Sequence, residues 1–193
     1  MKKTLLALAL VTAGLAASPV FAQSAPADGG WFVNGGLGQS DYSHVQYKKN
    51  DTLYDINGGY RWSVTTDFLL GVETGYVHPG SFDTRYGYGT MGYRKARVHG
   101  WTLGANARWL VAENWYVGAR AGAYRWNGSG STLGSTMPVN YTGHGTDWYA
   151  GAGFGYSFNN GVSLGLNYDY YRAKKNSANF TTKGPSVSLE YNF

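Results

Sequence analysis

Histidine is the residue type in this chain best suited to acid–base catalysis or metal binding, and it occurs four times, at His44, His78, His99 and His144. No two histidines have the i, i+4 spacing of a helical zinc site, and the H-E-x-x-H motif is absent. Converging loops could bring them together, but scattered surface histidines are the simpler interpretation. Cysteine is absent, which excludes a disulfide framework, thiolate metal sites and a cysteine nucleophile. We therefore predict no catalytic residue and no metal site.

One glycine motif has the form of a nucleotide-binding loop. Residues 87–92 read G-x-G-x-x-G, which binds a pyrophosphate when a strand leads into it and a helix follows. The pattern around this segment indicates neither a helix nor a parallel βαβ unit, so we interpret it as a loop. No cofactor and no nucleic-acid partner are expected.

The composition restricts the elements that hold these residues. Only 14% of the 193 residues are charged, against roughly 25% in an ordinary soluble domain. Aromatic residues make up 17%, and there are 29 glycines and 17 tyrosines. The length suits one domain. An aromatic, glycine-rich, charge-poor chain is typical of a sheet protein whose outer surface does not face water.

The first 22 residues have the organisation of an export signal. Lys2 and Lys3 precede an apolar run over residues 5–17, which is too short to span a bilayer of roughly 30 Å as a helix. Residues 20–22 read Val-Phe-Ala, a pattern typical of a cleavage site. We expect a signal peptide at 1–22, a flexible lead at 23–30 and one folded domain at 31–193.

The rest of the chain alternates with a period of two. Residues 115–123, for example, place Trp, Val, Ala, Ala and Ala on one parity, with Tyr, Gly, Arg and Gly between them. In a strand, this pattern puts one kind of side chain on each face. Eight such segments occur, at about residues 31–40, 52–62, 67–77, 96–109, 115–126, 146–158, 162–171 and 183–193.

The two faces differ in a way that indicates a membrane. One parity is apolar and aromatic, whereas the other carries glycine, Asn, Tyr and a few charges, as a narrow interior requires. No segment has 18 consecutive apolar residues, so a transmembrane helix is not expected. In lipid a sheet must close, because an open edge would leave backbone groups unpaired. We predict an all-β fold, an eight-stranded antiparallel up-and-down transmembrane β-barrel whose side chains fill the lumen.

Connection lengths predict the orientation. The segments 63–66, 110–114 and 159–161 are short, whereas four others are long. Short periplasmic turns and long external loops are typical of outer-membrane barrels. The long connections are residues 41–51, 78–95, 127–145 and 172–182.

Aromatic residues form two predicted girdles, one at each membrane interface. The girdle at the short-turn end contains Trp31, Trp62, Phe68, Trp109, Trp115, Phe158 and Phe193. The outer girdle contains Tyr54, Tyr76, Trp101, Trp148 and Tyr170.

Three segments carry a resemblance to a known group. Residues 30–38 (GWFVNGGLG) and 68–76 (FLLGVETGY) resemble the first and third strands of small outer-membrane barrels of the OmpA transmembrane-domain, OmpX/Ail and opacity-protein group. Residues 186–193 are similar to the C-terminal assembly signal of such barrels, with Leu189, Tyr191 and a terminal Phe193. Ser188 departs from that signal, which usually has glycine there. The resemblance implies outer-membrane location and recognition of the final strand by the assembly machinery.

The resemblance leaves the function open, because the group includes adhesins and structural anchors. We expect a non-enzymatic surface protein. The alternative is an enzyme that modifies lipid A, an acyl hydrolase or transferase with a lipid-facing histidine, a serine and an acidic partner. The segment 172–177, where such a set would be sought, has no histidine. A passive pore is disfavoured because side chains fill an eight-stranded lumen.

The inward parity carries seven charged residues: Asp55, Arg61, Glu73, Arg108, Arg120, Asp169 and Glu190. Glu73 and Arg120 each lie five residues above a girdle aromatic, near mid-height, while Arg108 and Glu190 lie lower. We expect a buried cluster with Glu73 and Arg120 at its centre. It would plug the lumen and fix the packing of the barrel, since an unpaired buried charge costs roughly 3–5 kcal/mol.

Charge is polarised along the predicted barrel axis. The long-loop end carries eleven basic residues against four acidic ones, a net of +7, and the rest of the chain after the signal peptide carries −4. Arginine and lysine bind phosphate through charge-assisted hydrogen bonds. We expect this end to contact lipopolysaccharide, an acidic polysaccharide or a host surface. The proposed contact residues at the rim are Arg94, Lys95, Arg97, Arg172, Lys174 and Lys175.

Overall fold

A computed structural model describes residues 29–42, 51–86, 92–133, 138–175, 178–179 and 181–193. Side chains are described for 29–40, 52–80, 98–129, 143–174 and 181–193. The expected signal peptide at 1–22 and most of the lead at 23–30 lie outside these ranges. No helix long and apolar enough to cross a membrane occurs in the described part of the chain. The strands are β1 Gly30–Tyr42, β2 Asp51–Thr65, β3 Phe68–His78, β4 Ser81–Tyr86, β5 Gly92–Leu110, β6 Trp115–Leu133, β7 Pro138–Ser157, β8 Val162–Tyr171, β9 Lys174–Lys175, β10 Ala178–Asn179 and β11 Thr182–Asn192.

Eight of these strands close into an antiparallel barrel. Their order is β3-β2-β1-β11-β8-β7-β6-β5, and β3 pairs with β5 to complete the ring. The first and last barrel strands are joined through pairs such as Val33 with Tyr191. β4 pairs with the outer part of β5, and β9 pairs with β10. The predicted eight-stranded antiparallel barrel is confirmed.

The alternation of the sequence determines the two faces of the barrel wall. On β5, Trp101 is 59% exposed, Thr102 is 2% exposed and Leu103 is 66% exposed. On every barrel strand the alternating apolar residues face outward in this way, including Trp31 on β1 and Phe154 on β7. The barrel therefore has a continuous apolar outer wall and a polar lumen.

Glycine makes the lumen wide enough for its large side chains. A Cβ at Gly155 would lie 2.5 Å from the Tyr116 hydroxyl, and one at Gly165 would lie 2.9 Å from the same oxygen. Gly161, in the turn before β8, has a φ of +80° that other residues adopt rarely. The glycine-rich parity is thus the inner face because large lumen residues lie directly against it.

The strands extend further at the long-loop end than the sequence predicted. β5, β6 and β7 contain 19, 19 and 20 residues, whereas β8 contains 10. Pairing continues to Arg94 with Thr132 and to Leu133 with Pro138. Parts of the expected loops 78–95 and 127–145 are therefore strands. Beyond a membrane a hairpin needs backbone pairing but no apolar face, so the period-two signal is missing there.

The lumen is layered along its axis. A cavity of about 440 Å³ opens at the short-turn end and is lined by residues of the short turns and by Arg61 and Arg108. Charged side chains follow at mid-height. Beyond them, towards the long hairpins, an apolar core fills the barrel. It consists of Leu53, Val77, Val98, Tyr124, Trp126, Tyr149, Tyr171 and Ala173, each at most 1% exposed.

Candidate functional site

The charged residues nearest the short-turn end form a first group, which we call the lower cluster: Arg61, Arg108, Glu190 and Asn106. Arg61 binds both carboxylate oxygens of Glu190, with Nη1 2.7 Å from Oε1 and Nη2 2.9 Å from Oε2. The Nη2 of Arg108 lies 2.5 Å from Glu190 Oε1. Arg61 Nε also donates to Asn106 Oδ1 at 2.7 Å. One carboxylate thus holds two guanidinium groups from β2 and β5.

Aromatic rings complete the surroundings of the lower cluster. The guanidinium carbon of Arg61 lies 3.8 Å from the ring centre of Phe32, and that of Arg108 lies 3.9 Å from the ring centre of Tyr116. Cations placed over ring faces in this way are attracted by the ring quadrupole. The second arginine is therefore stabilised without a second carboxylate.

Above it lies the upper cluster, which contains Arg120, Asp55, Glu73 and Asp169. Arg120 Nε lies 2.9 Å from Asp169 Oδ1. Its Nη1 lies 3.9 Å from Asp55 Oδ1 and 4.0 Å from Glu73 Oε1. One guanidinium from β6 thus faces carboxylates from β2, β3 and β8.

Two tyrosines connect the upper cluster to the apolar core. Arg120 Nη2 donates to the Tyr171 hydroxyl at 2.9 Å. The Tyr149 hydroxyl donates to Glu73 Oε1 at 2.9 Å. Their rings stack at 5.9 Å in the apolar core. These hydrogen bonds fix the position of the rings that close the lumen.

The structure distributes the four residues of the predicted cluster over two groups. Glu73 and Arg120 lie in the upper cluster, and Arg108 and Glu190 lie in the lower one. A polar cavity of about 60 Å³ lies between the clusters and is lined by side chains of both. The shortest ion pair of Arg120 is with Asp169, which the sequence placed on the inward parity without assigning it to the cluster.

The proposed rim residues lie on two sides of the barrel. Arg94, Lys95 and Arg97 are within β5, and Arg97 is four residues beyond the outer-girdle Trp101. They pair with β4 and β6 in the protruding hairpins rather than emerging at the barrel edge. The side chains of these three residues lie outside the described set.

The other side of the rim follows β8. Arg172 Nε lies 3.4 Å from Asp147 Oδ1. The backbone N–H of Lys174 donates to Asp147 Oδ2 at 3.0 Å. Lys175, whose side chain is not described, pairs with Ala178 in the short hairpin that follows. Asp147 thus holds the chain where it leaves the barrel edge.

Three histidines share one register position across neighbouring strands. Val77 pairs with Gly100, which puts His78 opposite His99, and their rings lie 6.5 Å apart. His99 pairs with Asn127, and Asn127 pairs with His144. His44 lies outside the described residues. Sequence reasoning treated these residues as scattered because it did not have the register between strands.

The C-terminal strand closes the barrel. β11 pairs with β1 and with β8, and Phe193 N donates to Trp31 O at 2.9 Å. Tyr191 and Phe193 face outward and are 41% and 65% exposed. Their rings contact each other edge to face at 4.9 Å. The predicted assembly signal is therefore an exposed aromatic edge at the short-turn end.

The chain matches a known protein family over most of its length. The model of the outer membrane protein beta-barrel domain family matches residues 6–193. The chain belongs to this family. A search of curated protein sequences found no match.

Solved structures of outer-membrane barrels share the fold. The attachment invasion locus protein Ail of Yersinia pestis is 16% identical with a TM-score of 0.56, and the match covers 86% of this chain and 99% of that chain. Ail in complex with the heparin analogue sucrose octasulfate is 14% identical with the same TM-score and coverage. The outer membrane enzyme PagL is 15% identical with a TM-score of 0.51, covering 84% of this chain and 99% of that chain.

Membership of the outer-membrane family explains the exposed apolar wall. Residues such as Trp101 and Leu103 face lipid, and the protein is an outer-membrane β-barrel. In outer-membrane barrels the short turns face the periplasm, so the long hairpins face the outside of the cell.

The described carboxylate side chains lie away from the histidines of the outer wall. The described carboxylates lie in the lumen, in the short turns, or at Asp147 against Arg172. None shares the register position of His78, His99 and His144. The part of the chain that the structure describes also lacks any group of three or more potential metal ligands.

Proposed function

We propose that the protein is a non-enzymatic surface barrel whose basic external end binds lipopolysaccharide or a similar acidic glycan. The observation that carries this proposal is the polarised charge, +7 at the long-loop end against −4 in the rest of the chain after residue 22. The described acidic residues on the negative side lie in the lumen clusters or the short turns. An end with a net positive charge concentrates anions near it.

The closed lumen supports a role on the surface rather than in transport. Tyr124 and Trp126 are 0% and 1% exposed and fill the barrel above both charge clusters. Large rings packed in this way leave no polar path past the apolar core in the described residues. The conductance of the protein in a planar bilayer should accordingly fall far below that of a large porin.

The comparison structures support the same chemistry. Ail was solved in complex with sucrose octasulfate, a heparin analogue, which is a polyanion. Lipopolysaccharide phosphates and acidic polysaccharides share that charge. A host glycan is therefore an alternative occupant of the same basic surface.

The direct test neutralises Arg94, Lys95, Lys174 and Lys175 together as glutamines. We expect the affinity for lipopolysaccharide micelles to fall about tenfold, ~1.4 kcal/mol, and its salt dependence to weaken. The matched control exchanges the same four positions between arginine and lysine, which keeps the charge. Unchanged affinity and salt dependence in the glutamine variant would show that the rim is only a solvated edge.

The non-enzymatic part of the proposal has its own test. Mass spectrometry should find the same lipid A acylation in a deletion strain and in its parent. A changed acyl pattern that the restored gene reverses would favour the enzyme instead.

We also propose that residues 1–22 direct export and that the assembly machinery recognises Leu189, Tyr191 and Phe193. Phe193 is 65% exposed at the edge of the closing strand. Deleting it should reduce the amount of assembled barrel in cells more than the yield of refolding into detergent. An equal loss in both would assign Phe193 a purely structural role.

A further inference from the structure

The three histidines of the shared register position, together with Asn127, form an outward strip that we call the histidine row. Alternation puts these residues on the same face as Trp101 and Trp148, which are 59% and 45% exposed. The row crosses β3, β5, β6 and β7. Tyr54 on β2 pairs with His78 and ends the row on that side, with ring centres 4.8 Å apart.

The row lies just outside the outer aromatic girdle. His78 is two residues beyond Tyr76, His99 is two beyond Trp101, and His144 is four beyond Trp148. With a rise of about 3.3 Å per residue and a strand tilt of about 40°, the histidines lie about 5–10 Å above the girdle. Girdle aromatics lie at the membrane interface. The row is therefore at the height of the lipid head groups.

The charges around the row favour an anion over a metal cation. Arg125 on β6 is exposed and pairs with Trp101. Trp101 lies two residues from His99 on the same strand face, on the side nearer the membrane centre. Arg97 lies two residues beyond His99 on β5, and Asp83 on β4 pairs with Lys95 further out. Tyr76 and Tyr54 are the ionisable neighbours on β3 and β2. Histidine is the side chain type whose charge generally changes between pH 5 and 8, so a strip of histidines can add positive charge as the pH falls.

The row also connects the two sides of the basic rim. It runs from the β3–β5 side, where Arg97 lies, to His144 on β7. Further down, β7 pairs with β8, the strand that leads to Arg172. Neither side of the rim alone extends around this wall. The row places polar side chains between them.

We propose that the histidine row and Arg125 bind the phosphate groups of phosphorylated lipid in the outer leaflet, and that binding tightens when the histidines are protonated. This inference rests on the proposed function, because it extends the same basic surface down the lipid-facing wall. It adds a pH dependence that fixed lysine and arginine charges do not provide.

The test uses purified diphosphoryl lipid A and the full barrel in a phosphate-free maltoside detergent. Affinity is measured at pH 5.5 and pH 7.5 for the native protein and for the triple variant His78→Gln, His99→Gln, His144→Gln. The native protein should bind about tenfold more tightly at pH 5.5, and the triple variant should lose that gain. Asn160→Gln, in a short turn at the opposite end of the barrel, is the control and should keep it. Heat-modifiable gel mobility checks that each variant is folded.

Two further comparisons separate this inference from the proposed function. The rim variant of the four neutralised residues should bind more weakly at both pH values but retain the gain at pH 5.5. NMR signals of the three row histidines should shift on adding diphosphoryl lipid A and should not shift on adding the dephosphorylated lipid. A gain that persists in the triple variant, or that appears equally with dephosphorylated lipid, overturns the histidine row alone. Absence of binding at both pH values overturns both proposals.

Discussion

The lower and upper clusters of the lumen neutralise charge with opposite ratios. The lower cluster places two arginines around Glu190, whereas the upper cluster places three carboxylates around Arg120. The excess in the lower cluster is positive, and the rings of Phe32 and Tyr116 lie against it. The excess in the upper cluster is negative, and the Tyr149 hydroxyl donates to Glu73, whereas the Tyr171 hydroxyl accepts from Arg120. Aromatic side chains therefore contact both clusters, through ring faces in the lower one and through hydroxyl groups in the upper one.

The comparison also shows which residue each cluster depends on. In each case a single residue of the minority charge holds the others, Glu190 below and Arg120 above. Removing that residue leaves like charges buried together without compensation, which is costly in a lumen. Removing one of the more numerous charges, an arginine of the lower cluster or a carboxylate of the upper one, should lower the free energy of unfolding by less.

The largest effect is expected for Arg120→Met. The substitution leaves Asp55, Glu73 and Asp169 without their shared cation, so the free energy of unfolding should fall by about 3–5 kcal/mol. Urea unfolding in phospholipid vesicles measures the change. Arg125→Met, on the same strand but facing outward, is the control and should leave the unfolding midpoint nearly unchanged. Similar midpoints for the two variants would contradict the role of Arg120.

Glu190→Gln should come next. The glutamine leaves Arg61 and Arg108 close together without a carboxylate, but Phe32 and Tyr116 still contact their guanidinium groups. We expect a loss of about 3 kcal/mol, at the lower end of the range for a broken buried pair. Glu113→Gln in a short turn is the control in the same unfolding assay. A loss no larger than that of the control would show that the lower cluster does not stabilise the barrel.

The two carboxylates of the upper cluster should then differ from each other. Asp169→Asn removes the shortest ion pair of Arg120, at 2.9 Å, whereas Glu73→Gln removes one at 4.0 Å and leaves an oxygen for Tyr149. We expect a loss of about 2 kcal/mol for Asp169→Asn and about 1.5 kcal/mol for Glu73→Gln. The reverse order would place Glu73 rather than Asp169 at the centre.

The smallest effect is expected for Tyr149→Phe. It removes one hydrogen bond to Glu73 and keeps the ring in the apolar core, so the loss should be about 1 kcal/mol. Tyr156→Phe on the outer wall of the same strand is the control. Equal, negligible changes in both would show that the hydroxyl does not contribute to closing the lumen.

The sequence predicts the barrel well because the membrane imposes a simple rule on it. Every residue of the spanning part faces either lipid or lumen, so the alternation of Trp101, Thr102 and Leu103 carries most of the information. The short turns are predicted for the same reason, since the alternation stops there. The extended hairpins of β5–β7 could not be predicted, because residues 127–133 and 138–145 lie outside the hydrocarbon layer and need no apolar face.

The ion pairs show the limit of sequence reasoning in the lumen. Arg61 and Glu190 are 129 residues apart and meet only because β1 joins β11 and closes the ring. Parity placed both on the inner face, but their relative height depends on the strand tilt and on the stagger of the closed ring. The same is true of the histidine row. Alternation places its members on the outer face, but only the register between the strands brings them to neighbouring positions.

The unequal strand lengths give the molecule a tall side and a short side. β6 exceeds β8 by nine residues, which at about 3.3 Å per residue and a tilt of about 40° is roughly 23 Å of additional height. Among the described strands, β5, β6 and β7 therefore project furthest on the outer side of the membrane. Of these strands, an antibody or phage tail approaching from outside meets β5–β7 first, and selection for escape should concentrate its changes on them rather than on the opposite strands.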